Sequence, residues 1–163
     1  MKIHLRFIAI IFIFLLENTF AQNKTNLELK DLFNMEYISD PQISPDGTQI
    51  LFVRNFKDMM TDRDYSNVWL SDINGTKIRQ LTQGNQRDYA PRWSNDGKKL
   101  AFLSNQDDNK VKLYLMYLDT RETITLTNTS TPPGVVSWSS DDMQLAFTQF
   151  VPEVAQSFLK IPS

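Results

Sequence analysis

Apolar and polar residues alternate along this chain in short bursts, and the bursts follow polar turns in a fixed order. ISPDGTQILF runs from Ile43 to Phe52, WSNDGKKLAF from Trp93 to Phe102, and WSSDDMQLAF from Trp138 to Phe147. Aligned on Phe52, Phe102 and Phe147, these copies stand 50 and then 45 residues apart. A second phrase repeats between them. NVWLSDINGTKIRQLT, Asn67 to Thr82, matches KLYLMYLDTRETITLT, Lys112 to Thr127, with a uniform offset of 45. The five extra residues of the first interval therefore fall in the connection around Phe56 to Ser66. Short alternating runs bounded by Gly, Asp and Pro predict strands. In the clearest unit the strands are Tyr89 to Ser94, Lys99 to Ser104, Val111 to Leu118 and Thr123 to Thr127, the last a run of β-branched residues suited to a pleated surface.

The turns carry their own chemistry. Pro45-Asp46-Gly47 and Asn95-Asp96-Gly97 place glycine where a left-handed backbone is needed, with an aspartate to accept local backbone hydrogen bonds. The third copy has Ser140-Asp141-Asp142, so Asp142 must bear that conformation or the loop must change. Four-stranded units repeating at about 45 residues predict an all-β fold, a partial β-propeller of two full blades plus the start of a third. The expected organisation is a leader over 1–21, a segment with a short helix over 22–38, the partial propeller over 39–150, and its truncated continuation over 151–163. Phe52, Phe102, Phe147, Trp93 and Trp138 are expected to pack between successive blades. Propellers close with about four to eight blades, so the chain reads as part of something larger, a truncated product or sequence fragment.

The first residues differ in kind. Lys2, His4 and Arg6 precede an unbroken apolar run from Phe7 to Leu16, and Thr19-Phe20-Ala21 supplies small residues for cleavage before Gln22. The run is too short to cross a bilayer as a helix, so an exported chain, periplasmic or secreted and bacterial, with no stable membrane span after cleavage is expected. Thr25 and Glu28 have the spacing of a capping box, and Leu29, Leu32 and Phe33 form a helical stripe. A formal charge of −2 leaves no basic footprint for nucleic acid. The three Asn-x-Ser/Thr sequons, at Asn23, Asn74 and Asn128, matter only in a eukaryotic secretory host.

Candidate chemistry is sparse. The chain has no cysteine, and its one histidine, His4, lies in the leader, so a mature Ser-His-Asp triad has no imidazole. There is no G-x-S-x-G elbow and no glycine-rich phosphate loop. Asp62 with Asp64, and Asp107 with Asp108, sit in corresponding connections, and Asp141 with Asp142 in a turn; neither connection matches the calcium-loop pattern. These carboxylates read as solvated loop faces. No catalytic, cofactor-binding or metal residue is assigned, and no cofactor is expected.

SPDG, an alternating strand, an aromatic-containing strand and a closing LT together resemble the TolB-like, WD40-like propeller repeat. LKDLFNMEYISDPQISPDGTQILF, Leu29 to Phe52, and FVPEVAQSFLKIPS, Phe150 to Ser163, are similar to the propeller of prolyl-oligopeptidase-type serine peptidases, nearest its acylaminoacyl-peptidase and dipeptidyl-peptidase-like members. The resemblance covers about Leu27 to Ser163 and implies peptide substrates. It also implies a C-terminal α/β-hydrolase domain bearing the triad, absent from this chain, with the propeller filtering access. A Glu-Glu pair of the kind that holds a substrate amino terminus is not evident. The chain alone is therefore expected to be inactive, with a TolB-like interaction module as the competing reading.

Overall fold

Three copies of one turn organise the molecule, and each is closed by the same hydrogen bonds. In the computed structural model, which describes residues 26–152, Ser44 Oγ donates to Asp46 Oδ1 (2.6 Å) and accepts from the Gln49 N–H (2.9 Å), while Asp46 also accepts from the Thr48 N–H (3.0 Å). Ser94 with Asp96, and Ser139 with Asp141, repeat this arrangement. Gly47 (φ 73°) and Gly97 (φ 68°) take the left-handed position, and Asp142 takes it too (φ 58°). Asp tolerates that region better than most residues, so the third turn is conserved in shape without its glycine.

The turns join strands in the expected order. β1 (Tyr37–Ile43), β2 (Gln49–Asp58), β3 (Arg63–Asp72) and β4 (Arg79–Gln80) form one antiparallel sheet, the first blade. β5 (Asp88–Trp93), β6 (Lys99–Ser104), β7 (Lys112–Tyr117) and β8 (Thr123–Thr125) form the second, and β9 (Pro133–Trp138) with β10 (Leu145–Gln149) form a hairpin. Pairing of β1 with β2 skips Asp40 and Pro41, and pairing of β5 with β6 skips Ala90 and Pro91. A bulge suits proline, which has no N–H for the ladder. The Val68 N–H bonds Thr82 Oγ1 and the Leu113 N–H bonds Thr127 Oγ1, both at 2.9 Å, so the closing LT of each repeat pins its third strand.

Two cores lie between the sheets. The first joins Leu51, Val68, Leu70 and Leu81 to Leu100, Phe102, Tyr114 and Met116, with Trp93 and Leu118 packed against it. The second joins Ala101, Leu103 and Leu113 to Val136, with Trp138 and Leu145 at its margin. Strand alternation explains this: Leu100 and Phe102 face one neighbour, and Ala101 and Leu103 face the other.

Four expectations change. The short helix is a single 3₁₀ turn at Leu29–Leu32 that buries nothing, held by Glu28 N–H to Asp31 Oδ2 at 2.8 Å. One turn cannot satisfy enough backbone groups to nucleate an α-helix, and Thr25, its expected cap, lies outside the described residues, as do the leader and most of 151–163. The inserted connection is not a loop. It lengthens the β2–β3 hairpin to ten paired positions, against six for β6–β7, and the Phe56 and Tyr65 rings meet along it at a tilt of 48°, their centroids 5.8 Å apart. Phe102 packs between blades as expected, but Phe147 is 37% exposed. Phe52 packs within its own blade opposite Trp69, where the described residues place no preceding blade.

Candidate functional site

The first strands of successive units adjoin, β1 against β5 and β5 against β9, and make a continuous wall. Each is tied to the next by an indole. Trp93 Nε1–H donates to the Gln42 carbonyl (3.4 Å) and Trp138 Nε1–H to the Arg92 carbonyl (3.1 Å). Arg92 Nη1 also reaches Asp40 Oδ2 at 2.8 Å, a pair about a third exposed on each side. Such a partly solvated pair contributes modestly to stability. It does leave guanidinium and carboxylate edges on the wall for a polar chain to meet.

Behind the wall, where the first and second blades meet, Asp88 is wholly buried. Its carboxylate accepts from Ser104 Oγ, from Gln86 Nε2 (3.2 Å) and from Asn67 Nδ2 (3.5 Å). Ser66 Oγ donates to the Asp88 carbonyl at 2.9 Å, and the Ser66 N–H to the Gln86 carbonyl at 3.0 Å. Burial pushes the Asp88 carboxyl up, and its hydrogen bonds from Ser104, Thr82, Asn67 and Gln86 pull against that. These side-chain partners are all neutral, so the arrangement is a junction rather than an ion-pair site. Repeat alignment could not find it, because the equivalent positions are Ile38 and Pro133.

The outer face of the first blade is a third feature. Glu36, Tyr37, Ile38, Phe52, Arg54, Trp69 and Ile78 line a cleft of about 500 Å³. Arg54 lies 5.2 Å from the Trp69 ring and is held by a two-point contact with Glu36, one bond at 2.7 Å. Trp69 Nε1 is buried without a hydrogen-bond partner in the structure, which carries a penalty until an acceptor is supplied.

The three carboxylate pairs singled out from the sequence are not brought together with one another. Asp62 and Asp64 each lie 3.4 Å from Lys57 on the long hairpin. Asp107 accepts from Tyr114 OH (2.8 Å), and Asp108 lies 3.3 Å from Lys112 Nζ. Burial first, then the Asp107 bond and charge, raise the Tyr114 hydroxyl to about 12. Asp141 closes its turn. Asp142 reaches the preceding turn, accepting from the backbone N–H groups of Asn95 (2.7 Å) and Asp96 (2.8 Å) and from Asn95 Nδ2 (2.7 Å). Among the described residues no three His, Cys, Asp or Glu side chains cluster as a metal set, and no helix is long and apolar enough to cross a membrane. Among the described residues the geometry offers surfaces for binding.

The model of the TolB beta propeller domain matches residues 22–151. The chain is 32% identical over 120 residues to the uncharacterized peptidase YuxL of Bacillus subtilis, covering 72% of this chain and 18% of that protein. It is 29% identical over 102 residues to the Tol-Pal system protein TolB of Alcanivorax borkumensis, covering 63% of this chain and 23% of that one. The chain therefore spans about a fifth of the length of these curated relatives. Among solved structures, Pyrococcus horikoshii acylaminoacyl peptidase superposes with a TM-score of 0.67 at 16% identity, over 84% of this chain and 21% of that chain, a likeness of fold.

Proposed function

From the premise that this chain belongs to the TolB beta propeller domain family, we propose that it is the propeller part of an exported serine peptidase. In this reading it forms a wall of the cavity through which peptides reach an α/β-hydrolase domain supplied by further polypeptide. The observation that carries the reading is the likeness to peptidase YuxL, which extends over most of the propeller at a higher identity than the likeness to TolB. The basic, apolar and small-residue pattern of 1–21 supports export. The chain would act by restricting access, because a backbone-rich wall with one Arg92–Asp40 pair can orient an extended peptide without activating a nucleophile.

The test is to extend the reading frame beyond Ser163 and to assay both proteins on short peptides, with a serine-directed inhibitor as control. The longer protein should hydrolyse them and lose activity to the inhibitor, and the present chain should be inert. Hydrolysis by the present chain would overturn the reading. A continuation that only completes a propeller would favour the second reading, a TolB-like interaction module, which is supported by the family match and the TolB relative.

A further inference from the structure

The five residues that interrupt the repeat build something the repeat does not. They extend β2 and β3, and the last rungs of that hairpin pair Lys57 with Asp64 and Asp58 with Arg63. At this end a cavity of about 210 Å³ opens between the long hairpin, the 83–87 connection and the β6–β7 connection. Arg63, Asp64, Asn85, Arg87, Asn105 and Asn109 contribute to its lining. All of its lining residues fall within 63–109, so it belongs to the internal junction between the two complete blades.

The cavity is rich in donors. Among the described residues neither Arg63 nor Arg87 has a carboxylate within ion-pair distance, whereas Arg54 and Arg92 each have one. The one carboxylate in the lining, Asp64, lies 3.4 Å from Lys57. Asn105 Oδ1 already accepts from the Arg87 N–H at 2.7 Å, so that side chain presents its Nδ2 donors. The frame is also fixed. The Ser66 N–H donates to the Gln86 carbonyl at 3.0 Å, Gln86 Nε2 folds back onto the Gln83 carbonyl at 2.6 Å, and Ser66 bridges to Arg87. Arg87 is thus held from both blades, by Ser66 on β3 and by Asn105 after β6. The next junction lacks this chemistry. With the offset of 45, Asp108 stands where Arg63 stands and Pro132 where Arg87 stands. The two cations are therefore not something every junction needs in order to pack.

We propose that this cavity binds a carboxylate of a short peptide, the guanidinium groups of Arg63 and Arg87 pairing the anion and Asn105 Nδ2 donating to it. A planar guanidinium matches a planar carboxylate in two-point geometry. Asp64 in the lining favours one negative charge over the nearly two of a phosphate group. Both arginines are exposed, so binding is weak and salt-sensitive, with a Kd of about 1 mM. That a peptide bears the carboxylate rests on the peptidase reading; the anion site does not.

NMR titration of the purified chain tests it with three probes: acetyl-trialanine, its C-terminal amide, and acetyl-Ala-Glu-Ala amide. A carboxylate probe should shift the Asn105 side-chain amide and the Arg87 N–H resonances, and the neutral amide should not. Binding of the first probe alone assigns a peptide C-terminus, binding of the last alone an acidic side chain, and binding of both a carboxylate from either source. Arg63→Gln and Arg87→Gln should each weaken binding about fivefold. Arg79→Gln, opposite Leu70 at the far end of β3, should bind as wild type does, with circular dichroism as the control that each variant is folded. Equal shifts from the neutral amide, no shift from either carboxylate probe, or unchanged binding in both cavity variants overturns the proposal. Hydrolysis by the longer protein is read separately, so the peptidase reading and this site fail independently.

Discussion

The second blade and the β9–β10 hairpin begin with nearly the same phrase, WSNDGKKLAF and WSSDDMQLAF, and fold it into the same serine–aspartate turn. Their burial nevertheless diverges. Leu100, Ala101 and Phe102 are wholly buried, whereas Ala146 is exposed and Phe147 is 37% exposed. Phe102 stacks on Tyr114 at 5.6 Å from the adjacent strand and lies against the first blade. Phe147 has a neighbouring blade on one side, but the described residues give it no third strand. The phrase thus encodes a turn and a strand, while burial depends on how many neighbours arrive.

Truncation should separate the two copies most strongly. Phe102→Ala should destabilise the fold by about 3–5 kcal/mol through lost transfer energy and a cavity, and Phe147→Ala by about 1 kcal/mol. Urea midpoints of the two variants measure the gap, and equal losses would break the comparison.

The junctions should differ next. Asp88→Ala strands the side-chain donors of Ser104, Gln86 and Asn67 among others and should destabilise by about 1–3 kcal/mol; its counterpart in the hairpin, Pro133, has no such network to lose. Because burial raises the folded-state carboxyl above its unfolded value, the contribution of Asp88 is greatest below that unfolded value. It falls as pH rises through the raised one. The stability difference between wild type and Asp88→Ala should therefore narrow from about pH 4 upward. A difference that widens with pH would contradict the burial assignment.

The turns should sharpen the comparison further. Gly97→Ala forces a side chain into φ 68° and should destabilise by about 1 kcal/mol. Asp142→Ala puts a residue that tolerates φ 58° less well in that turn and also removes the clamp on Asn95 and Asp96, and should lower the melting temperature by about a few degrees. Burial pulls the Asp142 carboxyl up, but the Asn95 and Asp96 hydrogen bonds outweigh it and hold it below the ordinary value. The clamp should persist above that ordinary value and be lost as pH falls through the lowered one. The amide resonances of Asn95 and Asp96 should report the transition, and an Asp142→Ala chain should lack it.

Much of the fold was legible because propeller blades are local. Each turn, hairpin and closing threonine is specified within one repeat, so the four strands read from the sequence of the second unit lie within about two residues of β5 to β8. The five-residue insertion was located too, but its form was not. An aromatic pair and ten registered positions made it a longer hairpin, and pairing of that kind depends on residues across the strand. The candidate surfaces were mostly invisible. Asp40 and Arg92 are 52 residues apart and become partners only when β1 and β5 adjoin.

By itself, then, the sequence determined the repeat, the turn chemistry and the alternation of faces, since all three follow from residues within a few positions of one another. Tertiary structure decided which faces are covered. It placed Asp88 at a junction that its repeat equivalents do not share, aimed Asp142 at the preceding turn, and left Ile43 and Ala146 exposed. The physical reason is that desolvation is a property of neighbours: nearly the same strand is buried where a blade is described on each side and exposed where the described residues supply only one.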